Sequence, residues 1–126
     1  MATLDQARLA VRLSDARHTF DGAWWPHSRS LETELVHLFA GWPVDAGHIS
    51  RVFVARSDWD DQPTKVVVPG RRGAVKIGLL PADTRDQLVL IMLDGQRRSI
   101  AVLPPTATER DAGHLLRTFG STHPVA

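Results

Sequence analysis

Asp21, Trp24, Trp25, His27 and Arg29 lie close together in the segment Phe20-Asp21-Gly22-Ala23-Trp24-Trp25-Pro26-His27-Ser28-Arg29, which holds two of the chain's four tryptophans. An indole pair offers a platform on which a guanidinium or a ligand cation stacks, and arginine grips anionic groups through paired N–H bonds. With Asp21 as a base beside His27, Arg29 would stabilise developing negative charge in an enzymatic reading. The structural alternative is equally concrete. Large aromatics dominate core burial, Asp-Gly is ordinary turn chemistry, and Arg29 can close an ion pair with Asp21.

Other clusters are weaker. Asp58, Asp60 and Asp61 surround Trp59; they offer oxygen ligands to a hard cation, but the run is too short for an EF-hand, so a solvated loop with one anchoring indole is the simpler reading. Pro69-Gly70-Arg71-Arg72-Gly73 has glycines and bases without the Gly-Lys-Ser/Thr ending of a phosphate loop, and reads as a hairpin tip with Arg71 and Arg72 exposed. Arg97 and Arg98 follow the same logic, as weak candidates for contact with an anion or nucleic acid. The six histidines are scattered without the i, i+4 pair of a zinc protease, and Ser28 sits in no nucleophile elbow. No catalytic residue, metal ligand set or cofactor site is assigned.

Composition narrows the class. At 126 residues, with 43% hydrophobic and 23% charged residues, the chain has the size and make-up of a single globular domain over 1–126, with short tails at about 1–6 and 121–126. A formal charge of +1 gives no long-range field toward nucleic acid or anionic lipid. There are no cysteines, which excludes disulfides and thiolate chemistry. The first residues carry an acid where a signal peptide needs bases, so a cytoplasmic location without membrane contact is expected.

The elements that must position these residues follow from periodicity. Leu9, Val11 and Leu13 alternate as in a half-buried strand, and Phe20 to Trp25 forms a second, stopped by Pro26. Leu31, Leu35, Leu38, Phe39 and Trp42 share one helical face, with Ser28 or Ser30 as N-cap and Gly41 and Pro43 ending the helix. Strands are expected over Ile49 to Arg56, from Thr64 or Lys65, and over Val75 to Leu79, the last two paired as a hairpin. Leu88 to Leu93 reads as a central strand, and Asp94-Gly95 as a two-residue type I′ turn into Arg97 to Leu103. Thr106 and Glu109 have capping-box spacing before a final helix carrying Ala112, Leu115, Leu116 and Phe119. The order β-β-α-β-β-β-β-β-α predicts an α+β fold, a twisted antiparallel sheet or partly closed barrel covered by two helices.

Asp21-Gly22-Ala23-Trp24-Trp25-Pro26-x-Ser28-Arg29, followed by Leu31 and the Glu34-Leu35 helix, with Arg51-Val52, Trp59, Gly70-Arg71-Arg72 and Val102-Leu103-Pro104-Pro105, resembles a family of small actinobacterial proteins of unassigned function. The resemblance implies a cytoplasmic single-domain protein and supplies no activity, cofactor or catalytic residue. Members often carry an aromatic pair after the glycine matching Gly78, where this chain has Leu79 and Leu80.

The leading expectation is a non-enzymatic interaction or ligand-sensing module in which Asp21, Trp24, Trp25, Arg29, Arg51 and Trp59 form a binding patch for a protein or small molecule. The alternative is single-stranded nucleic-acid binding through Arg71, Arg72, Arg97 and Arg98 with an indole as stacking platform. An apolar sheet edge left open would favour a homodimer.

Overall fold

Leu88-Val89-Leu90-Ile91-Met92, a run with no polar position, lies in the middle strand of a seven-stranded sheet, where both faces can be covered. The computed structural model describes residues 9–11, 20–42, 47–67 and 73–121. Its strands are β1 (Leu9–Val11), β2 (Gly22–Trp24), β3 (Ile49–Val54), β4 (Lys65–Val67), β5 (Ala74–Leu79), β6 (Gln87–Met92) and β7 (Arg97–Val102). Among the described residues two helices accompany them, α1 (Leu31–Gly41) between β2 and β3 and α2 (Glu109–Ser121) after β7, with a 3-10 turn at Arg56–Asp58 after β3. The α+β class and the element order agree with the sequence reading.

The sheet runs β1-β2-β7-β6-β3-β5-β4 and is open, with β1 and β4 at its edges. It is mixed where antiparallel pairing was expected: β2 lies parallel to β7 and β3 parallel to β5, and the remaining pairs are antiparallel. The expected hairpins β4–β5 and β6–β7 do form. β3 inserts between β5 and β6, and β2 lies between β1 and β7, so each parallel pair joins strands that are not consecutive in the chain.

Two turn assignments need correction. Met92 N donates to Gln96 O (2.8 Å) and Gly95 N to Met92 O (2.9 Å), closing a three-residue loop over Leu93, Asp94 and Gly95. Only Gly95 (φ 89°) takes a positive φ there, as in a type I turn followed by a bulge; the type I′ turn would need Asp94 to do so too. The cap of α2 lies two residues later than the Thr106 spacing suggests, because Asp111 N donates to Thr108 Oγ1 (3.1 Å).

Each face of the sheet has its own core. On one, Leu31, Leu35, Leu38 and Phe39 of α1 pack against Val52, Val54, Leu88, Leu90, Ile100 and Val102. Trp42 joins this cluster only partly buried. On the other, Ala112 and Leu116 of α2 cover Ala23, Trp25 and Leu103. Leu115 and Phe119 lie on α2, and their side chains fall outside the described residues, as do Leu13, Pro43 and the Pro69 to Arg72 turn. No helix among the described residues is long and apolar enough to cross a membrane.

Candidate functional site

Successive strand residues point to opposite faces, and this separates the two adjacent tryptophans. Trp24 is 3% exposed in the α1 core, its ring tilted 30° against that of Trp59 with centroids 5.5 Å apart. Trp25 is 8% exposed in the α2 core. Neither forms a surface platform, because β2 is covered on both sides. Trp59, 6% exposed, also borders a cleft.

The remaining residues of the segment are fastened to different partners. Asp21 joins β2 to β7: its Oδ2 accepts from Ser99 N (2.8 Å) while its N–H donates to Ser99 O (2.7 Å). Arg29 pairs with Asp60 instead of Asp21, donating from Nε to Asp60 Oδ1 (2.9 Å) and from Nη2 to Ser57 O (3.0 Å). His27 lies against Glu34, with Nδ1 3.2 Å from Oε1. Asp21, His27 and Arg29 are thus each engaged elsewhere, which leaves the enzymatic arrangement without a base, acid and cation facing one substrate.

Glu34 has a role that the sequence reading did not give it. It occupies the apolar stripe of α1 and is 2% exposed. Its Oε1 accepts from His27 N (2.7 Å) and its Oε2 from Ser28 Oγ (3.0 Å), so the buried carboxyl group ties the loop after Trp25 to the helix. The signal was present in sequence: Glu34 falls three residues after Leu31 and four before Leu38.

The three aspartates around Trp59 are ties of the same kind. Asp61 caps α1 from a distance, its two carboxyl oxygens accepting from Leu31 N and from Glu32 N (3.1 Å). Ser30 holds the N-cap position without a side-chain cap bond, so Asp61 supplies what the local sequence does not. Replacing Asp61 with Ala is expected to lower stability by about 1–2 kcal/mol, measured by urea denaturation. Asp60 holds Arg29, and Asp58 Oδ1 accepts from Asp86 N (3.1 Å). Among the described residues no group of acids and histidines gathers as a metal site.

These ties build a cleft of about 60 Å³ bordered by Pro26, Arg29, Asp58, Trp59, Asp86 and the run Val102-Leu103-Pro104-Pro105. Asp58 Oδ2 and Trp59 Nε1 are buried, and neither has a hydrogen-bond partner among the described residues. Asp86 takes φ 56°, a left-handed conformation that aspartate tolerates better than most residues. Burial raises the Asp58 carboxyl above its ordinary value, and the nearby Asp86 carboxylate adds to the rise; backbone N–H groups of Asp86 and Gln87, and Arg29, oppose it.

That shift has a sign that can be tested. Asp58 holds its proton more tightly folded than unfolded, so its contribution to stability is complete below 3.8 and lost as pH rises through the higher folded value. Asp58→Asn keeps the Oδ1 acceptor without the charge. It is expected to melt a few degrees above the parent at pH 7, with the difference vanishing near pH 3.5, in thermal scans across pH.

Pro26, Arg29, Trp59 and Val102–Pro105 come from three separate segments singled out in the sequence, and the fold brings them to this one cleft. Residues 8–119 match the model of a family of unknown function, DUF5994. The chain belongs to that family. No curated protein and no solved structure matches it. In this DUF5994 domain, Arg51 is exposed on the sheet face opposite the α1 core, away from the cleft, together with Lys65 and Lys76 and the half-buried Phe53. Arg97 and Arg98 are successive β7 residues and therefore point to opposite faces; Arg98 Nη2 donates to Gln96 Oε1 (2.8 Å). Arg71 and Arg72 lie outside the described residues.

Proposed function

We propose that the protein is a non-enzymatic ligand-sensing domain whose cleft between Arg29, Asp58, Trp59 and Pro104 takes an amide group of a small molecule. The observation that carries this reading is the pair of buried, unpartnered polar atoms on consecutive residues, Asp58 Oδ2 and Trp59 Nε1. A buried polar group left without a bond costs about 1–3 kcal/mol, so a ligand that supplies both bonds recovers that cost on binding. The indole N–H needs an acceptor and the ionised carboxylate needs a donor. An amide carries one of each. The surrounding Pro26, Val102, Leu103 and Pro104 suit apolar substituents on either side. At about 60 Å³ the cleft holds a group of a few heavy atoms, so the rest of the ligand lies outside it.

An amide and its ester isostere distinguish this reading from simple apolar binding. N-methylacetamide should bind at least tenfold more tightly than methyl acetate, which lacks the donor for Asp58. Equal affinity of the two, read by ligand-observed NMR, would overturn the assignment. Asp58→Asn, which turns an acceptor into a donor, should erase the preference for the amide.

A further inference from the structure

A single row of side chains crosses five strands on the face that α2 leaves open. In register from the β4 edge it reads Lys65, Lys76, Arg51, Ile91 and Arg97, each residue directly opposite the next. The four basic members are exposed, and among the described residues none of them makes an ion pair. Like charges directly opposite one another weaken a sheet, and here Lys76 has a cation on each side. The next row places Phe53 opposite Gly78, and a Cβ on Gly78 would stand 2.7 Å from the Phe53 ring. The half-buried phenyl therefore lies over the glycine, beside the cations, along an open groove of about 550 Å³.

We propose that this face binds single-stranded nucleic acid, with Lys65, Lys76, Arg51 and Arg97 on its phosphates and Phe53 as a stacking surface for a base. This reading is independent of the cleft and uses different residues. The row spans four strand spacings of about 4.8 Å, roughly 19 Å in all, a length suited to a few consecutive nucleotides. A sheet surface with an aromatic among cations is a recurring way of holding single strands, whose bases are free to stack. A formal charge of +1 for the whole chain confines the attraction to this face. Binding should therefore be modest and steep in salt, with up to four phosphates neutralised and a log–log slope near −3.

Fluorescence anisotropy of the full chain with a labelled twelve-nucleotide oligo-uridine tests this in low salt. Lys76→Glu and the milder Lys76→Gln should weaken binding by about tenfold or more and severalfold, respectively. Arg85→Glu, an exposed site outside the row with the same change of net charge as Lys76→Glu, should leave affinity within twofold. Both Lys76 variants should melt at or above the parent temperature, since they relieve like-charge opposition, so any lost binding is not lost folding. Absence of binding at low salt would overturn the proposal. So would an Arg85→Glu effect equal to that of Lys76→Glu, or a duplex of equal length binding as well as the single strand.

Discussion

Glu34→Ala is expected to destabilise the protein by about 3–5 kcal/mol, because a buried carboxyl group that satisfies two loop donors is removed and its site is left to the apolar core. Against a total stability of about 5–15 kcal/mol, such a loss reaches about a fifth or more of what holds a domain folded. Guanidinium denaturation measures it directly. Glu34→Gln should cost much less, about 1–2 kcal/mol, since its amide oxygen still accepts from His27 N. Equal losses for the two variants would mean that packing volume, and not the loop bonds, sets the effect. Because the tie also fixes the loop that carries Pro26 and Arg29, Glu34→Gln should weaken amide binding in the cleft even where the fold survives.

Trp59 separates packing from polarity in the same way. Trp59→Ala should lose about 3–5 kcal/mol, the usual cost of emptying a large aromatic site in a core, here one stacked on Trp24. Trp59→Phe should lose less than about 1.5 kcal/mol: the ring shrinks, but an indole N–H that has no partner disappears with it. The two variants should behave alike toward ligand, each weakening the amide and the ester together, because both ligands offer a carbonyl oxygen to the indole N–H. A Trp59→Phe loss as large as that of Trp59→Ala would show that the indole N–H is satisfied in the free protein.

Much of the fold was legible in the sequence because its signals are local. The stripe from Leu31 to Phe39 gives a helix, the unbroken apolar run at Leu88 gives the middle strand, and Asp94-Gly95 marks a reversal. What was not legible depends on pairing at long range. That β3 lies between β5 and β6 is decided by the packing of whole strands, and no local feature of Ile49–Val54 states it. The turn type failed for a related reason: Asp-Gly suits several turns, and the register of β6 against β7 selects among them.

The site was legible only in its ingredients. Trp59 and Arg29 were named from their residue types, while Asp21, Trp24 and Trp25 were named beside them and belong to the sheet and its two cores. An isolated pair of adjacent tryptophans cannot reveal that strand alternation sends each to a different face. Asp58 looked like one of three equivalent acids; position alone distinguishes it, since Asp60 and Asp61 spend their oxygens on Arg29 and on α1. Arg51 belongs to a row that appears only when the registers of five strands are known.

The most direct test of the cleft is the ¹H–¹⁵N resonance of the Trp59 indole, assigned by its absence in Trp59→Phe and followed during titration with N-methylacetamide. The account predicts a saturable downfield shift of that resonance as an acceptor reaches Nε1, with the Trp42 indole, already bonded to Gly47 O, unmoved. A Trp59 resonance that stays in place through the titration would contradict it.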